Sequence, residues 1–323
     1  MPLAFFFLSR YDKNYTTERG IFFMTLQQLK YVTAVAGAGT ISGAAQALFL
    51  SQPSLTAAIR ELEQELNITI FSRTNRGVVL TAAGEEFLGY ARQVLEQTDL
   101  IEERYTGSAP RRHRFSVSTQ HYSFAVEAFV DLLKEYGGPE YDFRIRETKT
   151  YEIIEDVSRL RSEVGVLYLN EFNRPVLTRV LREHELEFHP LFTARPHVFV
   201  SKANPLAERR ALTLDDLAPY PRLSYEQGEH NAFYFSEEIL STLECDKEIM
   251  VSDRATLFNL LIGLNGYTIC SGVINNELNG PNITAVPLDV DDCMEIGYLL
   301  HKRTVPNRFT EAYLDALRRH TGD

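Results

Sequence analysis

The sequence predicts an α+β protein with three parts: a helical N-terminal domain, one long linker helix and a C-terminal two-lobed α/β domain. Three observations support this prediction. Residues 42–66 have the pattern of two short helices joined by a tight turn, and apolar side chains repeat at helical spacing along residues 87–105. From residue 113 onward, short β-type runs alternate with helical segments. At 323 residues, the chain is long enough for two or three domains with substantial cores.

Residues 42–66 predict a helical hairpin whose second helix begins at a favourable cap. Ser51 suits the N-cap position because its hydroxyl can accept a hydrogen bond from a free N–H of the first turn. Pro53 falls in that turn, where its missing N–H is not needed. The hairpin therefore has the form of a helix-turn-helix. One apolar stripe runs along the second helix, formed by Leu55, Ile59, Leu62 and Leu66.

The opposite face of this second helix has the chemistry of a DNA-reading surface. Short hydrogen-bonding side chains and one cation are the groups that read base edges and hold phosphates. We therefore predict a recognition helix that enters the major groove. The alternative is an ordinary helical hairpin with a solvated polar face. The predicted DNA contacts in this part of the chain are Thr40, Ser42, Ser51, Gln52, Pro53, Ser54, Thr56 and Arg60.

Residues 68–81 predict a β-hairpin directly after the recognition helix. Two β-type runs flank the turn-forming sequence TNRG. The tip carries Arg73, Asn75 and Arg76, which are placed to meet phosphates or to enter a minor groove, so we interpret the hairpin as a wing. The alternative is an exposed loop with solvated arginines. Residues 24–81 together are predicted to be a winged helix-turn-helix domain, with double-stranded DNA as its partner.

Residues 82–112 are predicted to be a linker helix and hinge. A helix of about 25 residues would be roughly 38 Å long. Its apolar residues alternate between spacings of four and three, which is the pattern of a coiled-coil seam and most often pairs with its own copy. We therefore predict a homodimer or homotetramer; alternatively, the seam packs on the chain's own second domain. The seam residues are Phe87, Ala91, Val94, Thr98, Ile101 and Tyr105.

Residues 113–323 predict an effector-binding domain of the two-lobed type found in periplasmic binding proteins. The alternation of strands and helices implies parallel sheets with crossover helices. The chain is expected to cross between the lobes near Thr193 and to return near Thr284. The predicted boundaries are 113–192 with 285–323 for lobe I, and 193–284 for lobe II.

Polar residues follow several of the predicted strands, where cleft receptors hold their ligands. The carboxyl ends of strands and the N-termini of the following helices present free N–H groups to anionic atoms. An amino acid would suit such a cleft, with its carboxylate at Ser118 and Thr119 and its ammonium near Glu226 or Asp253. The alternative is that these residues are only helix caps and turn residues. The predicted effector contacts are Ser118, Thr119, Gln120, His121, Thr148, Thr150, Ser224, Tyr225, Glu226 and Asp253.

The composition is that of a soluble globular protein, with 44% hydrophobic residues and no apolar run long enough to span a bilayer. The net charge of −11 argues against a generally basic nucleic-acid coat, but a DNA reader needs only a local basic patch. Residues 1–23 lack the features of a secretory signal, so a cytoplasmic protein without a membrane partner is predicted. Met24 opens a well-patterned helix, and residues 1–23 are predicted to be a non-native or disordered extension.

The sequence lacks the motifs that would indicate an enzyme or a metal site. It contains no GxSxG, GxxxxGK or GxGxxG motif, so we predict neither an enzyme nor a cofactor. Cys245, Cys270 and Cys293 lack metal-ligand spacing and are interpreted as structural thiols, with redox sensing as the alternative. A solute-binding protein outside the membrane is a second alternative, but such a receptor would not need residues 42–80.

Residues 24–323 resemble a LysR-type transcriptional regulator over their whole length. The resemblance rests on AAQALFLSQPSLTAAIRELEQELN and FSRTNRGVVLTAAGEEFL, followed by the long helix and the two-lobed domain. It implies a regulator that binds promoter DNA and responds to a small-molecule effector. Family members often carry Arg just after the position of Thr56, whereas Ala57 and Ala58 follow here. Base readout must then depend on the other polar residues of the helix and on DNA shape.

The effector half is most similar to the CpsY/MtaR subgroup of that family. The similarity lies in residues 118–124, RSEVGVL (161–167), YFSEEILS (234–241) and VSDRATLFNLLIGLNGYTI (251–269). It implies a link to methionine or related amino-acid metabolism, with an amino acid or a sulfur metabolite as the effector.

Overall fold

The computed structural model describes residues 24–75, 77–106, 113–137, 140–230, 232–274 and 281–321. They divide into two units, of which the first ends at Ile101 and the second begins at Glu102. Three predicted features lie outside the described residues: the extension 1–23, Arg76 of the wing, and residues 107–112 of the hinge.

Side-chain caps set the starts of the helices in the first unit. The hydroxyls of Thr25, Thr40 and Ser51 accept from backbone N–H groups three residues later, at 3.2, 3.1 and 3.2 Å. The predicted cap at Ser51 is therefore confirmed. The elements described in this unit are α1 (Leu26–Ala38), α2 (Ile41–Ala47), α3 (Gln52–Leu66), β1 (Phe71–Thr74), β2 (Gly77–Leu80) and α4 (Ala82–Thr106), the last of which extends beyond Ile101.

The core of the first unit holds α3 in one orientation. Leu55 and Leu62 are fully buried and share one cluster with Val32 and Val35 of α1 and Ala44 of α2. Burying one Leu side chain is worth roughly 1.5–3 kcal/mol. Because the apolar stripe of α3 is used in this way, the polar face of the helix is left to solvent.

The hairpin is fixed to the helices by hydrogen bonds and by a close approach of the backbone. One carboxylate oxygen of Glu63 in α3 accepts from two backbone N–H groups at the entry to β1, at 2.7 and 3.1 Å. The N–H of Val78 donates to the carbonyl of Gly39 at 2.9 Å. Gly77 has a φ of 136°, and a Cβ atom there would lie only 2.3 Å from that same carbonyl. Only glycine fits this position.

The helix α4 contains 25 residues, as predicted, and its seam has two parts. Phe87 packs against the core of the first unit, and Ala91 is buried. These two residues are used within the chain. The exposed fraction is 43% for Val94, 60% for Ile101 and 82% for Tyr105, so the later part of the seam is open to a partner.

Strands and helices alternate in the second unit, as the sequence predicts. The elements of its described residues are β3 (His113–Thr119), α5 (Ser123–Tyr136), β4 (Tyr141–Glu147), α6 (Thr150–Ser158), β5 (Val164–Leu169), α7 (Arg174–Glu183), β6 (Leu186–Ala194), β7 (His197–Ser201), α8 (Leu214–Leu217), β8 (Arg222–Tyr225), β9 (Glu248–Val251), α9 (Arg254–Leu264), β10 (Tyr267–Cys270), β11 (Ile283–Pro287), β12 (Met294–His301) and α10 (Arg308–Thr321).

The strands of the second unit form one sheet in each lobe, and both sheets are mixed rather than parallel. Their orders are β4-β3-β5-β12-β6 in lobe I and β11-β7-β10-β8-β9 in lobe II. The strands β3, β4 and β5 are parallel, but β12 is antiparallel to β5 and β6, and β7 is antiparallel to β10 and β11. The predicted parallel pairing is confirmed for β3, β4 and β5 and is also present between β8 and its neighbours β9 and β10, but it does not extend to the strands that cross between the lobes. The reason is that β6–β7 leads out of lobe I while β11–β12 leads back, so paired crossing strands run in opposite directions.

The two crossings define the lobe boundaries. The first lies between β6 and β7, close to the predicted point at Thr193. The second lies after Pro287 and before Met294. The predicted return near Thr284 is too early, because Thr284 still pairs with Val200 in the sheet of lobe II. The largest buried cluster contains residues of both sheets, among them Val117, Val166, Val198 and Ile269.

Candidate DNA-binding surface and effector cleft

The start of α3 presents an exposed polar surface. Gln52, Pro53 and Ser54 are exposed, and so is Arg60 two turns later, whereas Leu55 on the same helix is fully buried. The free N–H groups in the first turn of a helix also attract anions such as phosphates. Of the side chains on α3 that the sequence predicts to contact DNA, these four face away from the core and Thr56 is half-buried.

The hydroxyl groups around this surface are engaged in caps and turns. Thr40 caps α2, and the Ser51 hydroxyl that caps α3 lies 2.7 Å from the hydroxyl of Ser54. Thr56 donates to a backbone carbonyl one turn earlier at 2.8 Å, and Ser42 is exposed in the first turn of α2. A hydroxyl has one donor and two acceptor sites, so a capping hydroxyl can still contact another group.

The hairpin confirms the strand prediction for residues 68–81. The strands β1 and β2 are antiparallel, with Phe71 opposite Leu80. Arg73 and Asn75 are exposed at the end of β1 and in the turn. Together with Arg60 of α3, Arg73 gives the first unit exposed positive charge in a chain whose net charge is −11.

A cavity lies between the two lobes of the second unit. Its empty volume, counted together with the open solvent at its mouth, is about 560 Å³. Lobe I contributes residues 121–123 at the start of α5, and lobe II contributes Tyr225, Glu237, Glu238 and Arg254. The apolar part of the lining is formed by Phe199, Leu257, Phe258, Ile269, Val273, Ile274 and Met294.

Three of the predicted effector residues are bound to other groups of the chain and are not among the residues that line this cavity. The Ser118 hydroxyl donates to Asp156 Oδ2 at 2.7 Å, and the Thr119 hydroxyl donates to the carbonyl of Gln120 at 2.8 Å. The Gln120 amide donates to Thr150 Oγ1 at 2.6 Å. Ser118 and Thr119 are fully buried and Gln120 is 1% exposed. An effector carboxylate at Ser118 and Thr119 would have to replace these internal hydrogen bonds.

His121 joins the two lobes. Its Nδ1 and its backbone N lie 2.8 and 2.9 Å from Oε2 of Glu237. Its ring stacks on Tyr225 of lobe II, with the ring centroids 3.8 Å apart. Burial raises the pKa of the Tyr225 phenol, so the hydroxyl remains a hydrogen-bond donor. Of the predicted effector residues, His121 and Tyr225 are the two that line the cavity.

Two further predicted residues contact the opposite lobe. The backbone N–H of Thr150, the first residue of α6, donates to Gln227 Oε1 at 3.0 Å. Glu226 forms an ion pair with Lys149 across the cleft, with 3.3 Å between Oε1 and Nζ. The cleft is therefore closed by direct contacts between the lobes.

The remaining predicted effector residues bind within their own lobes. The Thr148 hydroxyl donates to Glu152 at the start of α6, and the Ser224 hydroxyl donates to Glu248 at 3.3 Å. Asp253 caps α9, accepting from a backbone N–H at 2.8 Å, and this hydrogen bond lowers the pKa of its carboxyl group. Asp253 therefore has the capping role that the sequence left open as an alternative, whereas Thr148 and Ser224 bind acidic side chains of their own lobes.

The acidic pair Glu237–Glu238 lines the cavity, although the sequence did not predict these two residues as part of the site. Oε1 of Glu238 accepts from the backbone N–H of Tyr225 at 2.8 Å. Burial, and then the charge of Glu237, raise the pKa of Glu238 to about 8. Nearby, Arg254 is paired with Glu147 of lobe I, and burial lowers the pKa of its guanidinium to about 10. The available signal was two adjacent acids inside the largely apolar run FYFSEEIL.

The cysteines and the metal-ligating residue types form no second site in the described ranges. No group of three His, Cys, Asp or Glu residues there could hold a metal ion. Burial raises the pKa of the Cys270 thiol, which disfavours the reactive thiolate, while Cys293 is exposed. Over the same ranges, no helix combines the length and the apolar character needed to cross a membrane.

Two protein-family models match the chain, one in each unit. A model of the bacterial regulatory helix-turn-helix proteins of the lysR family matches residues 26–85. A model of the LysR substrate binding domain matches residues 114–322, which is more than half of the chain.

Individual relatives agree with these matches. The regulator YofA of Bacillus subtilis (strain 168) is 38% identical over 132 residues, which cover 40% of this chain and 46% of YofA. The uncharacterized regulator YnfL of Escherichia coli (strain K12) is 31% identical over 213 residues, covering 65% of this chain and 68% of YnfL. The structure of a full-length OxyR variant from Pseudomonas aeruginosa shares the fold, with a TM-score of 0.60 at 20% identity over 91% of this chain and 98% of OxyR. The chain belongs to the LysR family of bacterial helix-turn-helix transcriptional regulators.

Proposed function

We propose that this protein regulates transcription by binding promoter DNA through its N-terminal unit and a small-molecule effector through its C-terminal unit. The observation that carries the DNA-binding part is the exposed start of α3, where Gln52 and Ser54 face solvent on a helix whose other face is buried. Glutamine can read an adenine edge through two hydrogen bonds. Arg60 and Arg73 are exposed cations that can neutralise phosphates on either side of such a contact.

The oligomer is part of the same proposal. The open part of the α4 seam, at Ile101 and Tyr105, supports pairing with a second copy, as a homodimer or within a homotetramer. A two-fold protein axis would present two recognition helices to paired half-sites. Since promoter DNA lies in the bacterial cytoplasm, that is the compartment in which we expect the protein to act.

The cavity between the lobes supports a compact effector with a hydrophobic body and a polar end. Its apolar lining suits an aliphatic or thioether side chain, and the carboxyl oxygens of Glu237 and Glu238 can accept hydrogen bonds from an ammonium group. An amino acid or a sulfur metabolite has both features. The sequence resemblance to the CpsY/MtaR subgroup supports the same class and a link to methionine metabolism. A solute receptor without sequence-specific DNA binding is the competing function.

Substitutions on α3 test the DNA-binding part. Binding of the full chain is measured on a duplex that the wild type selects from a random pool and on an unselected duplex, at several salt concentrations. We expect Gln52→Ala to lose about 1–3 kcal/mol on the selected duplex only, because a base contact is removed. Arg60→Ala should weaken both duplexes alike and lower the salt slope by about one, because a phosphate contact is lost.

The control and the contrary outcomes are defined on the same helix. Gln64→Ala removes an exposed glutamine three turns from the start of α3 and should leave both affinities unchanged. Equal losses on both duplexes for Gln52→Ala would remove that residue from base readout. A wild-type chain that selects no sequence from the pool would favour the solute receptor.

A further inference from the structure

A segment of lobe II, residues 228–230 and 232–241, reaches across the cleft onto lobe I; we call it the strap. It connects β8 to β9 in the sequence, yet several of its residues contact lobe I. The ring of His230 stacks on Tyr151 of α6 with 3.5 Å between the centroids. Phe235 belongs to a buried cluster made mostly of lobe I residues. The strap is therefore anchored on lobe I while it remains part of lobe II.

The anchored strap brings the carboxylate of Glu237 to His121, two residues before the start of α5. Oε2 of Glu237 lies 2.9 Å from the backbone N of His121 and 2.8 Å from its Nδ1. The side chains of both residues are buried, with 6% and 5% exposed for His121 and Glu237. Oε1 of Glu237 lies 3.4 Å from Nε2 of Gln227, whose own Oε1 accepts from the N–H of Thr150 at 3.0 Å.

Two backbone N–H groups beyond the ends of lobe I strands, those of His121 and Thr150, thus bind side-chain oxygen atoms of Glu237 and Gln227 in lobe II. The loop after β3 leads into α5 and the loop after β4 leads into α6, and both present backbone N–H groups at the cleft. Such groups stabilise anions because of their own dipoles and those of the following helix. A buried carboxylate is costly unless it is paired. Glu237 is stabilised here by the N–H and the imidazole of His121.

We propose that the strap is an internal ligand, in which the Glu237 carboxylate occupies at His121 the place that an effector's carboxylate takes. The strap then holds the lobes together in the absence of effector, and a small carboxylate acts by displacing Glu237 from His121. This inference rests on the proposed effector function of the cleft and adds the chemical class and the mode of competition. The ligand must prefer one arrangement of the lobes, because equal affinity for both would shift nothing.

Chemical rescue of Glu237→Ala in the full chain tests the inference. The variant should exchange the backbone amides of residues 119–124 on the order of 10- to 100-fold faster than the wild type, because the His121 N–H loses a charged acceptor. Acetate, added at increasing concentration, should slow this exchange back toward the wild-type rate by supplying the missing carboxylate. Sodium chloride at the same ionic strength should not.

A matched control uses another carboxylate of the cleft. Glu226→Ala removes the ion pair with Lys149, but Glu226 is half exposed and does not contact His121. Exchange at residues 119–124 should stay within about twofold of the wild type, since exposed ion pairs contribute little, and acetate should have no effect. As a second variant, Glu237→Gln keeps the shape and one acceptor, so it should accelerate exchange less than Glu237→Ala.

The contrary outcomes are separate for the two proposals. Wild-type exchange rates in both Glu237 variants would overturn the inference, and so would fast exchange in Glu237→Ala that acetate slows no more than chloride does. If Glu237→Ala fails to fold, unchanged exchange in Glu237→Gln overturns it. The exchange experiment contains no DNA. A failed rescue in a chain that still selects its duplex therefore counts against the strap alone, whereas loss of selection in the wild type counts against the proposed function alone.

Discussion

The buried carboxyl group of Glu238 should make the second unit less stable as the pH rises. Its side chain is 6% exposed, and burial followed by the charge of Glu237 raises its pKa from 4.5 to about 8. Between these two pH values the native state binds more protons than the unfolded state, so the free energy of unfolding falls with increasing pH. The two pKa values give the decrease in the free energy of unfolding relative to acid pH, where Glu238 is protonated in both states. This decrease is about 2 kcal/mol at pH 6, about 3 kcal/mol at pH 7 and about 4 kcal/mol at pH 8.

Glu238→Gln should remove this dependence. Glutamine keeps an acceptor for the backbone N–H of Tyr225, which lies 2.8 Å from Oε1 of Glu238, and it does not ionise. The variant should therefore be within about 1 kcal/mol of the wild type at pH 5 and more stable by about 3 kcal/mol at pH 7. Urea unfolding of both proteins from pH 5 to pH 8, followed by tyrosine fluorescence and circular dichroism, measures the difference. Glu244→Gln, at an exposed residue shortly after the strap, is the control and should track the wild type. A difference between Glu238→Gln and the wild type that does not change with pH would refute the reasoning.

Two further predictions concern the first unit and the helix that follows it. Glu63→Ala leaves the buried backbone N–H of Ile70 without its acceptor, which costs about 1–3 kcal/mol, so amide exchange over residues 68–80 should accelerate. The control Glu61→Ala, at an exposed residue of the same helix, should leave this exchange unchanged. Equal exchange rates in the two variants would show that Glu63 does not hold the hairpin. Ile101→Lys places a charge in the apolar seam, where an unpaired buried charge is strongly unfavourable; sedimentation should show smaller species with weaker DNA binding, and an unchanged mass would mean that the seam packs elsewhere.

The closed cleft changes how an effector has to act. His121, Thr150 and Lys149 of lobe I all contact lobe II directly. An effector that binds in this cleft would therefore compete with protein groups that already satisfy its N–H donors and charges. The binding free energy of such an effector would be the difference between the contacts that it makes and the protein contacts that it replaces. A chemical group of the effector that only reproduces an existing contact would therefore add nothing to the affinity.

The sequence by itself determined the N-terminal unit, because the signals that specify it are local. The Ser51 cap joins residues three positions apart, and the stripe through Leu55 and Leu62 repeats within one helix. The turn between β1 and β2 lies within a few residues of its own strands. Each of these interactions forms between neighbours in the chain, so a residue pattern is sufficient to predict it.

Only the tertiary structure decided the chemistry of the cleft, because its partners are distant in the sequence. His121 meets Glu237 after 116 residues, and the Ser118 hydroxyl meets Asp156 after 38. Whether a hydroxyl at a strand end faces the cleft or the helix packed beside it depends on the position of that strand in its sheet, which the pattern of residues does not contain. The acidic pair of the strap lies in the cavity for the same reason: aromatic contacts with the opposite lobe, between residues far apart in the sequence, determine where Glu237 and Glu238 lie.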